Sequence, residues 1–531
     1  MAFVITQNCC TDASCVPVCP VDCIRPVAGP AGAAASMLYI DPATCVDCGA
    51  CVAVCPVSAI YHEDELPESQ ARFATINADV FAAEPLTMRA IPDQWTPPPL
   101  ERDSLRVAVV GAGPAACYAV ADLTRTSGVQ VDVFDRLPTP FGLVRFGVAP
   151  DHQRTKDVVQ VFESALSSPN VTCYFNVAVG QDITHEQLMA THDAVIYAVG
   201  ASRTRDLGIP GEGLPGSIGA AEFVNWYNGH PDHAECQFDL AGPRVVIIGN
   251  GNVALDVARV LAMPPDQLTT TDIAEHALDQ LAKSGVQEVV VLGRRGAADG
   301  AFSVGELLAL GSLSTVDIVV EGQLGQRPDD HERALKFDLV SEFAQRSATP
   351  GNRRIVLRFG ARPVRMAGSE QVQALEIEDA DGVTELIDTS LALRSIGYRG
   401  TPIDGLPFDE AAGTVTNDDG RVIRDGAPVP GVYVTGWIKR GPSGVIGTNR
   451  LCARETVTNL LADARAGALP EPASQDGLNA TDLAARGVTV VNLAGWKRID
   501  AAERELGVAA SRPRVKVVHR DAMLAAAGEG S

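Results

Sequence analysis

Nine of the thirteen cysteines crowd into the first 55 residues, at positions 9, 10, 15, 19, 23, 45, 48, 51 and 55. The later group reads Cys45-x2-Cys48-x2-Cys51-x3-Cys55-Pro56. That spacing lets three thiolates wrap one iron–sulfur cubane while the fourth, before proline, reaches a second cluster. A zinc knuckle prefers two CxxC pairs separated by a longer loop. Here the Cys-Pro ending occurs twice, at Cys19-Pro20 and Cys55-Pro56, which favours iron and sulfide. By the crossing rule, Cys19 is predicted to complete the cubane of Cys45, Cys48 and Cys51. Cys55 then joins Cys9 and Cys15. Three thiolates suit a [3Fe-4S] cluster, whereas a [4Fe-4S] cluster needs a fourth ligand, from Cys10 or Cys23. Cys10 adjoins Cys9, and adjacent residues rarely both reach one small cluster. Cys23 also reads as a buried free thiol beside the cluster. Both are expected not to be ligands, and the nuclearity of this cluster stays open between three and four irons.

Two glycine turns follow. In "VAVVGAGPAA", Gly111, Gly113 and Ala116 form a GxGxxA pattern between an apolar strand and a helix that begins at Pro114 and Ala115. The first glycine permits the turn, and the second lets the backbone approach a pyrophosphate at the helix N-terminus. Asp135 ends the next strand, where an acid hydrogen-bonds a ribose hydroxyl and rejects a 2′-phosphate. In "VVIIGNGNVALDVA", Gly249, Gly251 and Ala254 repeat the pattern, but the next strand ends in Arg294 and Arg295. Guanidinium groups there can fork onto a 2′-phosphate. The two sites are of opposite sign, which predicts FAD at the first and NADP(H) at the second.

These motifs need elements to hold them. Each glycine turn sits in a strand–helix–strand pattern, the signature of doubly wound sheets. The 531 residues exceed one ordinary domain. The expected fold is multidomain: an N-terminal α+β ferredoxin-like iron–sulfur domain, then two α/β Rossmann-like dinucleotide-binding domains. The blocks are 1–65, the two-cluster domain; 66–104, a linker with Pro67, Pro85 and Pro92 and room for a short helix; 105–240, the first part of the FAD-binding domain. They continue with 241–395, the NADP-binding domain; 396–465, the FAD-domain return segment; and 466–531, a partly flexible extension ending in the frayed "AAAGEGS". The formal charge of -23 argues against nucleic acid and against an anionic membrane surface. No apolar run is long enough to span a membrane, and the start lacks a basic region followed by an apolar core. A cytoplasmic protein is expected, consistent with clustered thiols that bind metal rather than pair as disulfides.

Residues 1–65 resemble the seven-iron bacterial ferredoxins, in which an arm C-x7-C-x3-C-P-x2-C precedes the full cluster run. This chain departs with Cys9-x5-Cys15, two residues shorter, and with the extra Cys10. From residue 105 to about 510 it resembles the ferredoxin–NADP reductases of the adrenodoxin reductase type. The likeness rests on "GAGPAA", "LPTPFGLVRFGVAPDH", "YAVGA", "IIGNGNVALDVARVL", "GRRG", "SIGYRG", "GWIKRGPSGVIGTNR" and "GWKRID".

The resemblance implies that Gly142 and Leu143 line a flavin, that Val177 meets it through backbone, and that Trp437 with Gly444, Val445 and Ile446 holds its ring and ribityl chain. It places Asn250, Gly251, Asn252 and Val253 on the NADP pyrophosphate. Arg294, Arg295 and Glu306 fall in the 2′-phosphate and ribose region, with Gly444 also near NADP. His152 falls near the flavin–nicotinamide contact, and with Glu306 it is the candidate catalytic pair. The implied activity is hydride transfer from NADPH to flavin N5, then single-electron transfer to the tethered ferredoxin. The cofactors are then FAD, NADP(H), one [4Fe-4S] cluster and one [3Fe-4S] or [4Fe-4S] cluster. Beyond NADPH, a downstream redox acceptor protein (a ferredoxin, a cytochrome P450 or another oxidoreductase) fits as partner. An acidic ferredoxin could dock on basic residues such as Arg440 and Arg450. The rival reading is a flavin/iron–sulfur electron-feeding subunit, as in glutamate synthase, against which the "GWIKRGPSGVIGTN" string speaks.

Overall fold

The computed structural model describes residues 2–26, 37–86, 95–97, 99–100, 104–474 and 480–528. Pro92 of the expected linker and the last three residues of the expected frayed tail lie outside them. The N-terminal unit is built from two short antiparallel pairs, Phe3–Ile5 with Ile60–His62 and Ile24–Pro26 with Leu38–Ile40. So small a sheet buries little by itself. The helix Arg72–Ala83 covers it with Phe73, Ile76, Val80 and Phe81. Asn77, fully buried on the same helix, accepts the Ile40 N–H and donates to the Ile5 and Phe73 carbonyls. The segment read as linker therefore contributes one wall of the cluster domain.

Both glycine turns are set in extended parallel sheets. The first lies in a seven-stranded sheet of order Asn417–Asp418, Arg421–Arg424, Ala427–Val434, Ala194–Tyr197, Leu105–Val110, Val129–Asp135, Val171–Phe175. Its last five strands run parallel, and two antiparallel strands close one edge. The second lies in an all-parallel sheet of order Ser217–Gly219, Leu391–Arg394, Arg244–Ile248, Glu288–Gly293, Arg353–Phe359, Val316–Gly322. Parallel strands covered on both faces read as unbroken apolar runs, as in "VVII" and "VVVL". A three-stranded antiparallel sheet, Ala361–Ala367, Ala374–Asp379 and Thr384–Asp388, flanks the second domain.

The C-terminal segment is packed rather than loose. Helix Leu493–Ala509 buries Trp496, Ile499 and Glu503 against the first domain. Glu503, with no exposed surface, accepts from both terminal nitrogens of Arg145, Nη1 lying 2.9 Å from Oε2 and Nη2 bonding Oε1. Buried Lys516 lies 3.2 Å from Asp272 of the second domain and donates to the Asn228 and Arg145 carbonyls. Arg512 donates to the Thr271 carbonyl at 2.9 Å. No helix among the described residues is long and apolar enough to cross a membrane.

Candidate functional site

The first glycine turn is closed by close packing. Gly111 has φ +103°, and a Cβ there would lie 2.6 Å from the Ala198 carbonyl oxygen. Gly113 caps helix Pro114–Leu123 with no side-chain hydrogen bond, so the first-turn N–H groups after Pro114 are left for a ligand at the turn. Asp135 sits beneath: Oδ2 accepts the Ala112 N–H at 2.7 Å and Oδ1 accepts the Leu137 N–H at 2.9 Å. Burial pushes its carboxyl pKa up, against the pull of those two donors. Each oxygen keeps a second lone pair for a ribose hydroxyl. Gly142 comes against Gly113, with 3.0 Å from its would-be Cβ to the Gly113 Cα, and a Cβ on Gly436 would meet Ala115 at 2.6 Å. Two further loops thus converge on this helix start, and glycine makes each approach sterically feasible. Leu143 is exposed. The Val177 side chain is buried, and its N–H is spent on the Asp135 carbonyl at 2.8 Å.

The second turn repeats the first. Gly249 has φ +112°, with a would-be Cβ 2.2 Å from the Ser395 carbonyl oxygen, and Gly251 caps helix Asn252–Ala262. A cavity of about 1390 Å³ opens over it. Gly249–Val253, Arg294, Arg295, Tyr398, Trp437, Gly444 and Val445 all belong to its wall. Both arginines are exposed, and among the described residues neither is salt-bridged, so both forks face a site with room for an anion. Asn252 accepts the Ser303 N–H at 2.8 Å, and Ser303 in turn accepts the Glu306 N–H, so the turn also fixes the helix carrying Glu306. Trp437 stacks on Tyr398, centroids 5.9 Å apart and 20° from parallel. Its indole N–H donates to the Ser443 carbonyl.

His152 and Glu306 are not in that cavity wall; they meet around a buried arginine. Arg259, 2% exposed at its side chain, donates to Glu306 at 2.8 Å, Asp256 at 2.7 Å and Asp151 at 3.0 Å. Its Nη2 also lies 2.8 Å from His152 Nε2. Arginine cannot accept, so Nε2 must, and the ring proton sits on Nδ1, 4.0 Å from Glu306 Oε1. Burial pushes the Asp256 carboxyl up to about 6, although Arg259 draws it down. Asp151 also feels burial, yet Arg259 and His152 hold it at about 2. The structure therefore groups Glu306 with His152 rather than with Arg294 and Arg295. The hub itself was missed in the sequence, although Asp256 and Arg259 are an i,i+3 charged pair on an otherwise apolar helix.

The cysteines gather in two groups. Cys19, Cys45, Cys48 and Cys51 line one small cavity, together with Cys23, whose Sγ is 3.4 Å from that of Cys19. Cys9, Cys15 and Cys55 form the other. Burial raises the Cys9 thiol to about 11 and that of Cys15 higher, and the neighbouring thiolates, Cys55 beside Cys9 and both Cys9 and Cys55 beside Cys15, add to the rise. Thiols so placed need a bound cation to ionise, a donor set that fits iron. Cys10 is buried against the first dinucleotide domain.

That second group faces the glycine-rich loop 441–447. The Gly447 N–H donates to the Cys10 carbonyl at 2.8 Å. Gly447 has ordinary helical φ of -69°, so its backbone does not require glycine. A Cβ there would lie 2.2 Å from the Asp12 nitrogen, so the need arises from the domain pressed onto it. Arg450 donates to the Asp12 carboxylate at 2.9 Å and to Ser14 Oγ at 2.6 Å. Arg440, the other expected docking cation, instead binds Asn449 and the Ser443 carbonyl. Further contacts reach both dinucleotide domains: Arg154 over the Tyr61 ring, Arg72 with Glu342, and Gly305 against Gln7.

Residues 105–290 match the family model described as pyridine nucleotide-disulphide oxidoreductase, and residues 38–61 match the 4Fe-4S binding domain. The "Probable ferredoxin/ferredoxin--NADP reductase" of Mycobacterium bovis is 47% identical over 99% of this chain and 95% of its own length. The mitochondrial NADPH:adrenodoxin oxidoreductase of Arabidopsis thaliana is 38% identical over 80% of this chain and 95% of its own. The solved structure of Mycobacterium tuberculosis FprA in complex with NADPH superposes with a TM-score of 0.75 at 41% identity, covering 80% of this chain and 99% of that one. A ferredoxin domain joined to an FprA-like flavoprotein with two parallel sheets is thus common to fold, motifs and relatives, and the chain belongs to the family of ferredoxin/ferredoxin–NADP reductases.

Proposed function

We propose that this enzyme moves electrons between NADPH and two iron–sulfur clusters of its own ferredoxin domain, by way of FAD. FAD, when bound, supplies the exchange between a two-electron hydride and single electrons, and the clusters supply one-electron carriers. The residues do the rest. Gly111, Gly113–Ala116, Asp135 and the Gly142 loop would hold the FAD pyrophosphate and ribose. Trp437, Gly444, Val445 and Ile446 would hold its ring end. Gly249–Val253 would cradle the NADP pyrophosphate, and Arg294 and Arg295 would grip the 2′-phosphate. Cys19, Cys45, Cys48 and Cys51 would bind a [4Fe-4S] cluster. Cys9, Cys15 and Cys55 would bind a [3Fe-4S] cluster, or a [4Fe-4S] cluster with another ligand. His152, held by Arg259 with its Nδ1–H toward Glu306, can fix or pass a proton at that atom.

The observation that carries this reading is the loop 441–447. Gly444 and Val445 face the cavity over the second turn, and three residues later Gly447 hydrogen-bonds the backbone between Cys9 and Thr11. One short segment thus runs from the wall of that cavity to the backbone next to Cys9. Anaerobic NADPH titration followed by visible absorption and EPR tests it. Flavin bleaching should be followed by cluster signals, with iron near seven per chain for a [3Fe-4S] assignment. Flavin reduction with no change in any cluster signal would sink internal transfer.

A further inference from the structure

The two thiolate groups differ in access. The Cys9–Cys15–Cys55 group is covered: Cys10 and Asp12 are buried, Gly447 lies on the Thr11–Asp12 backbone, and Arg450 clamps Asp12 and Ser14. A second protein cannot reach it there without displacing the chain's own reductase. The Cys19–Cys45–Cys48–Cys51 cavity is open. Cys48 is exposed, Val46 lines the cavity with it at 56% exposure, and Val52 at 41% and Val54 at 36% stand exposed on the short helix Ala50–Ala53, which carries Cys51, and its C-cap.

The stretch of chain that forms this opening is one-sided in charge, with Arg154 of the reductase reaching it at the Tyr61 ring. Residues 37–71 contain no Lys or Arg but six acids, Asp41, Asp47, Glu63, Asp64, Glu65 and Glu68. Asp41 is buried. Asp47 and Asp64 flank His62, at 3.4 and 3.6 Å, and Phe3 packs between His62 and the Gly49 turn, so this acidic rim adjoins the cysteine loop. Small apolar centres ringed by like charge are a form that redox docking sites take: the centre excludes water, and the rim steers encounter. A second copy of this chain, also at -23, would be repelled.

We propose that the face formed by Val46, Cys48, Val52 and Val54, with its rim of Asp47 and Glu63–Glu65, is the docking surface for an external one-electron carrier protein with a basic rim. It follows that the covered thiolate group is the entry for electrons from the flavin side and the open group their exit. This rests on the electron route proposed above and adds its polarity and the partner's chemistry.

A basic c-type cytochrome serves as probe. Its binding to the holoenzyme is measured by calorimetry at low ionic strength, together with its NADPH-driven reduction. In Val52→Lys, and in the gentler Glu63→Gln/Asp64→Asn/Glu65→Gln variant, affinity should fall about ten-fold or more and the salt dependence should flatten. The EPR signals of NADPH-reduced clusters should be unchanged, which shows that the route to the clusters is intact and separates failure of this inference from failure of internal transfer. Unchanged cytochrome affinity in both variants would overturn the proposal. So would a salt-sensitive dimer of the wild-type chain, seen in sedimentation and abolished by Val52→Lys, because the face would then belong to a second copy.

Discussion

The two glycine turns are nearly the same object built twice. Their first glycines stand at φ +103° and +112°, each pressed onto a carbonyl of a neighbouring strand end, Ala198 or Ser395. Their second glycines cap helices in the same extended conformation. The difference lies at the end of the following strand. In the first unit Asp135 turns inward, takes two backbone N–H groups and is half-buried. In the second, Arg294 and Arg295 point out over a cavity and are unpaired among the described residues. In the function proposed above, the backbone would supply a common pyrophosphate cradle, and the end of the following strand would set which charge the ligand carries.

That comparison can be broken most forcefully at the glycines. Alanine at Gly111 or Gly249 combines a strained positive φ with a Cβ inside a carbonyl's contact distance, at a cost of about 3 kcal/mol or more. Gly111→Ala should emerge without flavin. Gly249→Ala should keep its flavin absorbance but lose reduction by NADPH. Equal flavin loss in both would mean that the turns are not independent sites. Next in size is the double substitution Arg294→Ala/Arg295→Ala. Losing charge-assisted bonds worth about 1.5–3 kcal/mol should lower kcat/KM for NADPH by about ten- to a hundred-fold and leave that for NADH nearly constant. An equal fall for both coenzymes would remove the arginines from 2′-phosphate recognition.

The smallest effect concerns acidity in the second unit. The Asp256 carboxyl, at about 6, is raised above its ordinary value, so the folded protein binds the proton more tightly than the unfolded chain. Stability from this group is present below the unfolded value near 4 and is lost as pH rises through about 6. Asp256→Asn should flatten that part of the melting temperature–pH profile, read by differential scanning calorimetry. An unchanged slope would place the titration elsewhere.

Both turns could be read in the sequence because each is local: strand, glycines, helix and strand end fall within about 50 residues. The cysteine grouping was legible for the same reason, and the structure brings together the sets that the crossing rule predicts. Cys23 was set aside as a ligand, yet it lines the same cavity as Cys19. Spacing alone does not say which thiols of a turn point inward. The hub around Arg259 joins acids from three separate segments and leaves only a faint trace, a charged pair on a buried helix. Gly447 is harder still. Its reason for being glycine is Asp12, more than 400 residues away, and nothing in its own neighbourhood announces it. The tail was read from its alanine-rich texture as partly flexible, whereas Trp496, Ile499 and Glu503 form one buried stripe on helix Leu493–Ala509.

Lys516 has a bearing on biosynthesis. It joins Asp272 to the carbonyls of Asn228 and Arg145, and Arg512 adds the Thr271 carbonyl, so both dinucleotide domains are stapled by residues translated after both of their parallel sheets. Until those residues leave the ribosome, the buried carboxylate of Asp272 has, among the described residues, Lys156 as its remaining cationic partner. A nascent or prematurely stopped chain would carry an incompletely neutralised charge in its interior, a mark by which cellular quality control could tell unfinished molecules from finished ones.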